Sequence, residues 1–270
     1  MDTAGSRAAE RGGADDGRAH DGALKGVQAA WWQRSRLVSA AGQASLMVFL
    51  FYAYRTGRHL ADGHAAAALR HARSVWRIER LLHLPNEASL QHAALHWDGW
   101  TRAADVYYVG VHFPATAAFL VWIWWRHQDH WPRVRAAIVL STALAMVGHF
   151  AYPLAPPRLL PGTGLVDVMN VYGPSAYAQA PGSGPSNQFA AMPSLHVGWA
   201  LLVAWGIIRY GSGRTRWAAA CYPVATTAVV VLTANHYWLD GIVGAVVVIV
   251  SVALSGRAER IMSRRGAQGT

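Results

Sequence analysis

Six long apolar runs constrain this chain more than anything else in it, at roughly residues 37–54, 106–125, 134–152, 195–210, 217–233 and 239–254. A helix that crosses a bilayer needs about 20 mostly apolar residues, and each run approaches that length. Inside lipid every backbone polar group must find a partner within the protein, so a spanning segment is a helix or a strand of a closed barrel. Barrel strands alternate polar and apolar residues, whereas these runs are continuous. The pattern predicts an all-α polytopic membrane protein, a bundle of six transmembrane helices.

Composition agrees with that class: 53% of the residues are hydrophobic and 14% charged, against about 25% charged in soluble domains. The formal net charge of +10 does not read as a nucleic-acid footprint, because the basic residues sit mostly beside the apolar runs, where they act as orientation signals. No nucleic-acid partner is expected; the bilayer is. The single cysteine, Cys221, permits no internal disulfide, and no zinc-type Cys/His spacing occurs.

Three regions follow. Residues 1–35, rich in Gly, Ala, Arg and Asp without an early apolar core, read as a disordered tail rather than a cleaved leader. Residues 36–256 form the membrane domain, and 257–270 a basic tail. Between the first two runs, Val75-Trp76-Arg77-Ile78-Glu79-Arg80-Leu81-Leu82 places apolar residues at helical spacing. That segment reads as an amphipathic helix at the membrane interface, or as an arm of a surface hairpin. Trp31, Trp32, Trp124, Trp125 and Trp131 fit interfacial belts.

Orientation comes from Lys and Arg. With six spans, sixteen of the 24 fall on the side of the two termini and eight on the other. The positive-inside rule puts both termini in the cytoplasm. The long Pro-, Gly- and Ser-rich connection at 153–192, whose single basic residue is Arg158, then faces outward. Long loops of this kind are often functional.

Three motifs meet on that outer side. Ala155-Pro156-Pro157-Arg158 follows the third run, Met192-Pro193-Ser194-Leu195-His196 opens the fourth, and Asn235-His236-Tyr237-Trp238-Leu239-Asp240 opens the sixth. Residues four apart share a helix face. Asp240 can therefore accept the proton on one nitrogen of His236 and leave the other nitrogen as a nucleophile or base. A structural His–Asp pair closing a helix end has the same spacing. Pro193 suits a first helical turn, and a helix start binds phosphate through its free N–H groups and positive dipole end. Ser194 would add a hydroxyl there or serve as the helix cap, and His196 can protonate a leaving alkoxide. Arg158 can bridge two phosphate oxygens.

The order Pro-Pro-Arg, Pro-Ser-Leu-His, His-x-x-x-Asp resembles the type 2 phosphatidic acid phosphatase superfamily, over about residues 149–244. Ala-Met-Pro-Ser-Leu-His followed by His-Tyr-Trp-Leu-Asp-Gly is most similar to its inositol phosphorylceramide synthase branch. The resemblance implies that His236 attacks phosphorus and forms a phosphohistidine. Asp240 orients it, His196 protonates the leaving group and then activates the acceptor, and Arg158 and Ser194 hold phosphate oxygens. It implies no metal and no other cofactor. The expected substrate is a membrane lipid phosphate, the acceptor water or the hydroxyl of a polyol or sugar, and the location the plasma membrane, with the site on its extracytoplasmic face. Two positions depart from the phosphatase pattern, which has Lys where this chain has Ala151 and Arg where it has Val230. Asn235, Tyr152, His149 or an arginine of the first outer loop are candidates to take over phosphate binding. A non-enzymatic lipid-binding protein or transporter on the same scaffold is the competing expectation, although no repeated halves are visible.

Overall fold

The computed structural model describes residues 65–97, 99–171 and 189–268, together with the isolated positions 42, 45 and 52. The expected tail at 1–35 and the first apolar run at 37–54 lie outside the described residues, apart from those isolated positions, and so does 172–188 in the long connection at 153–192.

The described chain is helical. Its helices are α1 (Ala65–Leu81), α2 (Glu87–Leu95), α3 (Trp100–Gly110), α4 (His112–Arg126), α5 (Trp131–Ala151), α6 (Val168–Val171), α7 (Leu195–Tyr210), α8 (Cys221–Leu232) and α9 (Trp238–Gln268). Short 3-10 turns stand at Gln128–His130, Pro157–Leu159 and Arg214–Ala220. Among the described residues there is no strand, only one parallel bridge between Leu154 and Ala190.

Three helical stretches are long and apolar enough to cross a membrane: Gln128–Ala151, Arg214–Leu232 and Trp238–Ile261. The second expected run is divided into α3 and α4, bent by 42°, and counts as a fourth span if the pair crosses as one. Pro114 accounts for the break, since it has no N–H to give the carbonyl of Gly110. The fourth expected run is α7, an apolar helix of 16 residues, shorter than a straight span requires. At the other end, α9 runs unbroken through the boundary expected at 256.

α9 packs along α5 and α7, and α7 packs on α8. Small residues permit the closest approach. A Cβ on Gly244 of α9 would lie 2.3 Å from the Ser194 carbonyl oxygen, and one on Gly198 of α7 would lie 3.2 Å from the Gly244 carbonyl oxygen. The start of α7 therefore rests directly on the backbone of α9, as small residues allow in membrane bundles.

The segment expected to be amphipathic falls in the C-terminal half of α1, with Leu82 just beyond it. The buried positions of α1 at Ala68, Ala72, Val75 and Glu79 recur every three or four residues, the spacing of one helix face. This face packs against Leu154, Ala155 and Tyr237, so it covers the start of α9 and the Pro-Pro-Arg loop. Asn86 then caps α2 by accepting from the N–H groups of Ala88 and Ser89 at 2.9 and 3.3 Å. α1 packs on α9, and α2 packs on α8 and α3.

Candidate active site

Backbone hydrogen bonds bring the three motif segments together. The Leu154 N–H donates to the Phe189 carbonyl at 2.8 Å, and the Ala191 N–H to the Leu154 carbonyl at 3.2 Å. The Arg158 N–H donates to the Ala234 carbonyl at 3.0 Å, and the Ser194 N–H to the Asp240 carbonyl at 2.9 Å. Each motif is therefore tied to another through main chain, where the bonds do not depend on side-chain rotamers.

α8 ends in a tight turn that aims His236. The Val230 carbonyl accepts from both the Asn235 and the His236 N–H groups at 3.0 Å. Ala234 takes up a left-handed backbone with φ of 56°, which is uncommon for a residue with a Cβ. The turn delivers His236 and Asp240 to the base of α9, both buried.

The Nδ1 atom of His236 lies 2.9 Å from the Ala191 carbonyl oxygen and 3.2 Å from Asp240 Oδ2. A carbonyl only accepts, so Nδ1 carries the proton and Nε2 holds the lone pair. Asp240 Oδ2 also accepts from the Tyr237 N–H at 3.0 Å. Asp240 thus orients the histidine and caps its own helix with one oxygen.

His196 stands on the first turn of α7, its ring centroid 5.6 Å from that of His236. Tyr108 stacks on it at 4.5 Å. Ser194 is fully buried and caps α7, its hydroxyl oxygen 3.4 Å from the Val197 N–H. Helix α7 begins at Leu195, so Pro193 precedes the cap rather than occupying the first turn that the sequence indicated. The serine side chain, by capping, sets the start two residues later.

Arg158 is buried and gives Nη1 to the side-chain oxygen of Asn235. Its Nε lies 3.4 Å from Asp167 Oδ2. Asn235 in turn donates to the Thr233 hydroxyl at 2.8 Å. These contacts make Asn235 a support for the guanidinium. His149 is buried, with Nε2 donating to the Pro193 carbonyl at 3.0 Å, so it braces the segment before Ser194. Tyr152 stacks on His71 of α1, ring centroids 4.0 Å apart.

At the two departing positions, Val230 is buried against Tyr108 and Val197, and Ala151 is the exposed last residue of α5. Sequence reasoning missed Asp167, the Ala191 carbonyl, and His112, whose ring lies 4.7 Å from that of His196. His112 was detectable as an ionisable residue inside an apolar run; a backbone carbonyl carries no residue-type signal. Among the described residues no group of three or more His, Cys, Asp or Glu is placed to hold a metal ion.

A family model described as the PAP2 superfamily matches residues 73–254. The match begins within α1 and ends within α9, and it takes in all three motif segments. No curated protein and no solved structure matches the chain.

Proposed function

The chain belongs to the PAP2 superfamily, and from that premise we propose that it is a membrane lipid phosphotransferase or phosphatase working through a phosphohistidine on His236. The observation that carries this reading is the protonated Nδ1 of His236, held by the Ala191 carbonyl and Asp240, with the His196 ring 5.6 Å away. That spacing puts both rings close enough to serve one phosphoryl group.

In the first half-reaction the Nε2 lone pair of His236 forms a bond to phosphorus. The bond from phosphorus to the leaving oxygen breaks, and His196 gives that oxygen a proton. In the second half a hydroxyl of water or an alcohol attacks phosphorus, the N–P bond breaks, and the hydroxyl proton passes to His196. Arg158, steadied by Asn235 and Asp167, neutralises charge on the equatorial oxygens, a task suited to a guanidinium. The Ser194 hydroxyl, whose oxygen faces the Val197 N–H, retains its own hydrogen for a phosphate oxygen. His149 and Tyr152 bear on phosphate binding by shaping the walls of the site.

The Met-Pro-Ser-Leu-His and His-Tyr-Trp-Leu-Asp wording favours transfer to a polyol such as inositol over hydrolysis. Taken with six spans, the asymmetry of Lys and Arg supports both termini in the cytoplasm and a site on the outward face of the membrane, for which the plasma membrane is the proposed location. Exposed Ile78, Leu81 and Leu82 at the end of α1 suit a helix resting at the lipid interface, where a head group enters.

The test is an assay of purified full-length protein in micelles across a panel of lipid phosphates, with and without inositol, reading phosphate release and head-group transfer. Phosphate release or transfer that His236→Ala abolishes is expected. Equal rates in wild type and His236→Ala would overturn the mechanism. Lipid binding without turnover on any substrate would favour the non-enzymatic scaffold.

A further inference from the structure

His112 is 2% exposed in the apolar helix α4, where a plain packing residue would be apolar. A buried imidazole in such a segment is costly unless it is engaged. Here the Tyr222 hydroxyl lies 3.2 Å from Nδ1 and 3.4 Å from the His112 carbonyl oxygen. The ring packs on His196 with centroids 4.7 Å apart at 45°. It also lies nearly parallel to Trp199, one turn along α7, at 6.0 Å and 12°. The other titratable groups around this pair are Tyr108 from α3, stacked on His196, and, across the site, His236 with its partner Asp240.

We propose that His112 is a positioning residue for the transfer step: it holds the His196 ring in orientation and sets the pH at which that ring exchanges its proton. The inference rests on the reading of His196 as the proton donor and acceptor. A polar ring packed against His196 adds its dipole to the surroundings in which that imidazole gains or loses its charge, and so bears on the pH at which it does so. The Tyr222 hydroxyl engages Nδ1 of His112 and so limits how its ring can turn. His196 therefore packs against the His112 ring as well as Tyr108, with His236 and Phe113 farther out at 5.6 and 6.1 Å.

The test is a titration of full-length protein in detergent micelles carrying 13C-labelled histidine, with the His196 signal assigned by its loss in His196→Ala. His112→Phe keeps a ring of similar bulk and removes both nitrogens. The His196 midpoint is expected to move by about half a pH unit or more in His112→Phe, and by a smaller amount in Tyr222→Phe. A midpoint that stays within about 0.2 unit of wild type in whichever of the two variants folds overturns the inference. Loss of packing alone would lower stability without moving the midpoint. Turnover of dioctanoyl phosphatidic acid separates the two layers of the argument. Wild-type rates in His196→Ala remove the reading beneath the proposal, whereas an inactive His196→Ala beside an unmoved midpoint removes the proposal alone.

Discussion

His236 and Asp240 are not an isolated pair: Nδ1 of His236 is nearer to the Ala191 carbonyl oxygen, at 2.9 Å, than to Asp240 Oδ2, at 3.2 Å. The carbonyl alone is enough to place the proton on Nδ1. In the proposed mechanism Asp240 then has a separate contribution, which is charge beside a ring that phosphorylation would make cationic. Asp240→Asn keeps an oxygen that can accept from His236 and from the Tyr237 N–H. It should therefore fold, yet lower kcat by about a hundredfold to ten-thousandfold, the range for loss of a charged partner behind a catalytic histidine. Steady-state kinetics beside a thermal unfolding curve separate the two effects.

Arg158 makes a second prediction. Its guanidinium reaches Asn235 through Nη1 and Asp167 through Nε, a fork that an ammonium group cannot reproduce. Arg158→Lys should raise KM by about tenfold or more, equivalent to about 1.4 kcal/mol of binding. Asn235→Ala should move KM in the same direction by loosening the guanidinium. If KM stays at the wild-type value in both variants, Arg158 does not hold the phosphate.

The apolar runs at 134–152, 217–233 and 239–254 located the three helical stretches long and apolar enough to cross a membrane, and the run at 195–210 located α7. His236 and Asp240 come together because residues four apart meet on one turn, and His196 joins them because α7 starts against α9, where the Ser194 N–H donates to the Asp240 carbonyl. What escaped reading has physical reasons. The break between α3 and α4 depends on one missing N–H at Pro114, inside a run apolar enough for a single span. Asn235 looked like a phosphate ligand, but its side chain is turned to Arg158, a choice made by contacts between residues 77 positions apart. Glu79 stands between the apolar residues of the Val75–Leu82 segment and is fully buried, because α1 lays that face on the protein.

The contact between α7 and α9 gives a third prediction. A Cβ at Gly244 would come within 2.3 Å of the Ser194 carbonyl oxygen and 3.1 Å of its carbonyl carbon. Backbone on both sides leaves no flexible side chain to yield. Gly244→Ala should cost about 1–3 kcal/mol in stability, as overpacking of a tight contact does. It should also lower kcat by displacing His196 from His236. Unfolding in mixed micelles measures the first effect; a variant as stable and as active as wild type would show that the helices are not in contact there.

The fourth prediction concerns pH. Glu79 of α1 and Glu87 of α2 are both 0% exposed. Glu79 Oε1 accepts from the Leu239 N–H at 2.8 Å, at the start of α9. Arg80 reaches Glu87 at 2.8 Å and Glu79 only at 3.9 Å. Tyr237 and Asp240 face the same region from α9. Burial first, and then the adjacent Glu87 carboxyl, push Glu79 well above its ordinary value of 4.5. Its folded form therefore binds the proton more tightly than the unfolded chain does. The resulting stabilisation is complete below pH 4.5, shrinks as pH rises above that value, and is gone once pH passes the folded pKa. Wild-type protein should thus lose stability steadily on going from pH 5 to the alkaline range. Glu79→Gln keeps an oxygen for the Leu239 N–H and removes the titration, so its stability curve should be flatter over the same window. Denaturation midpoints of the two proteins taken at pH 5, 7 and 9 decide the matter, and parallel curves would mean that the Glu79 proton is not linked to folding.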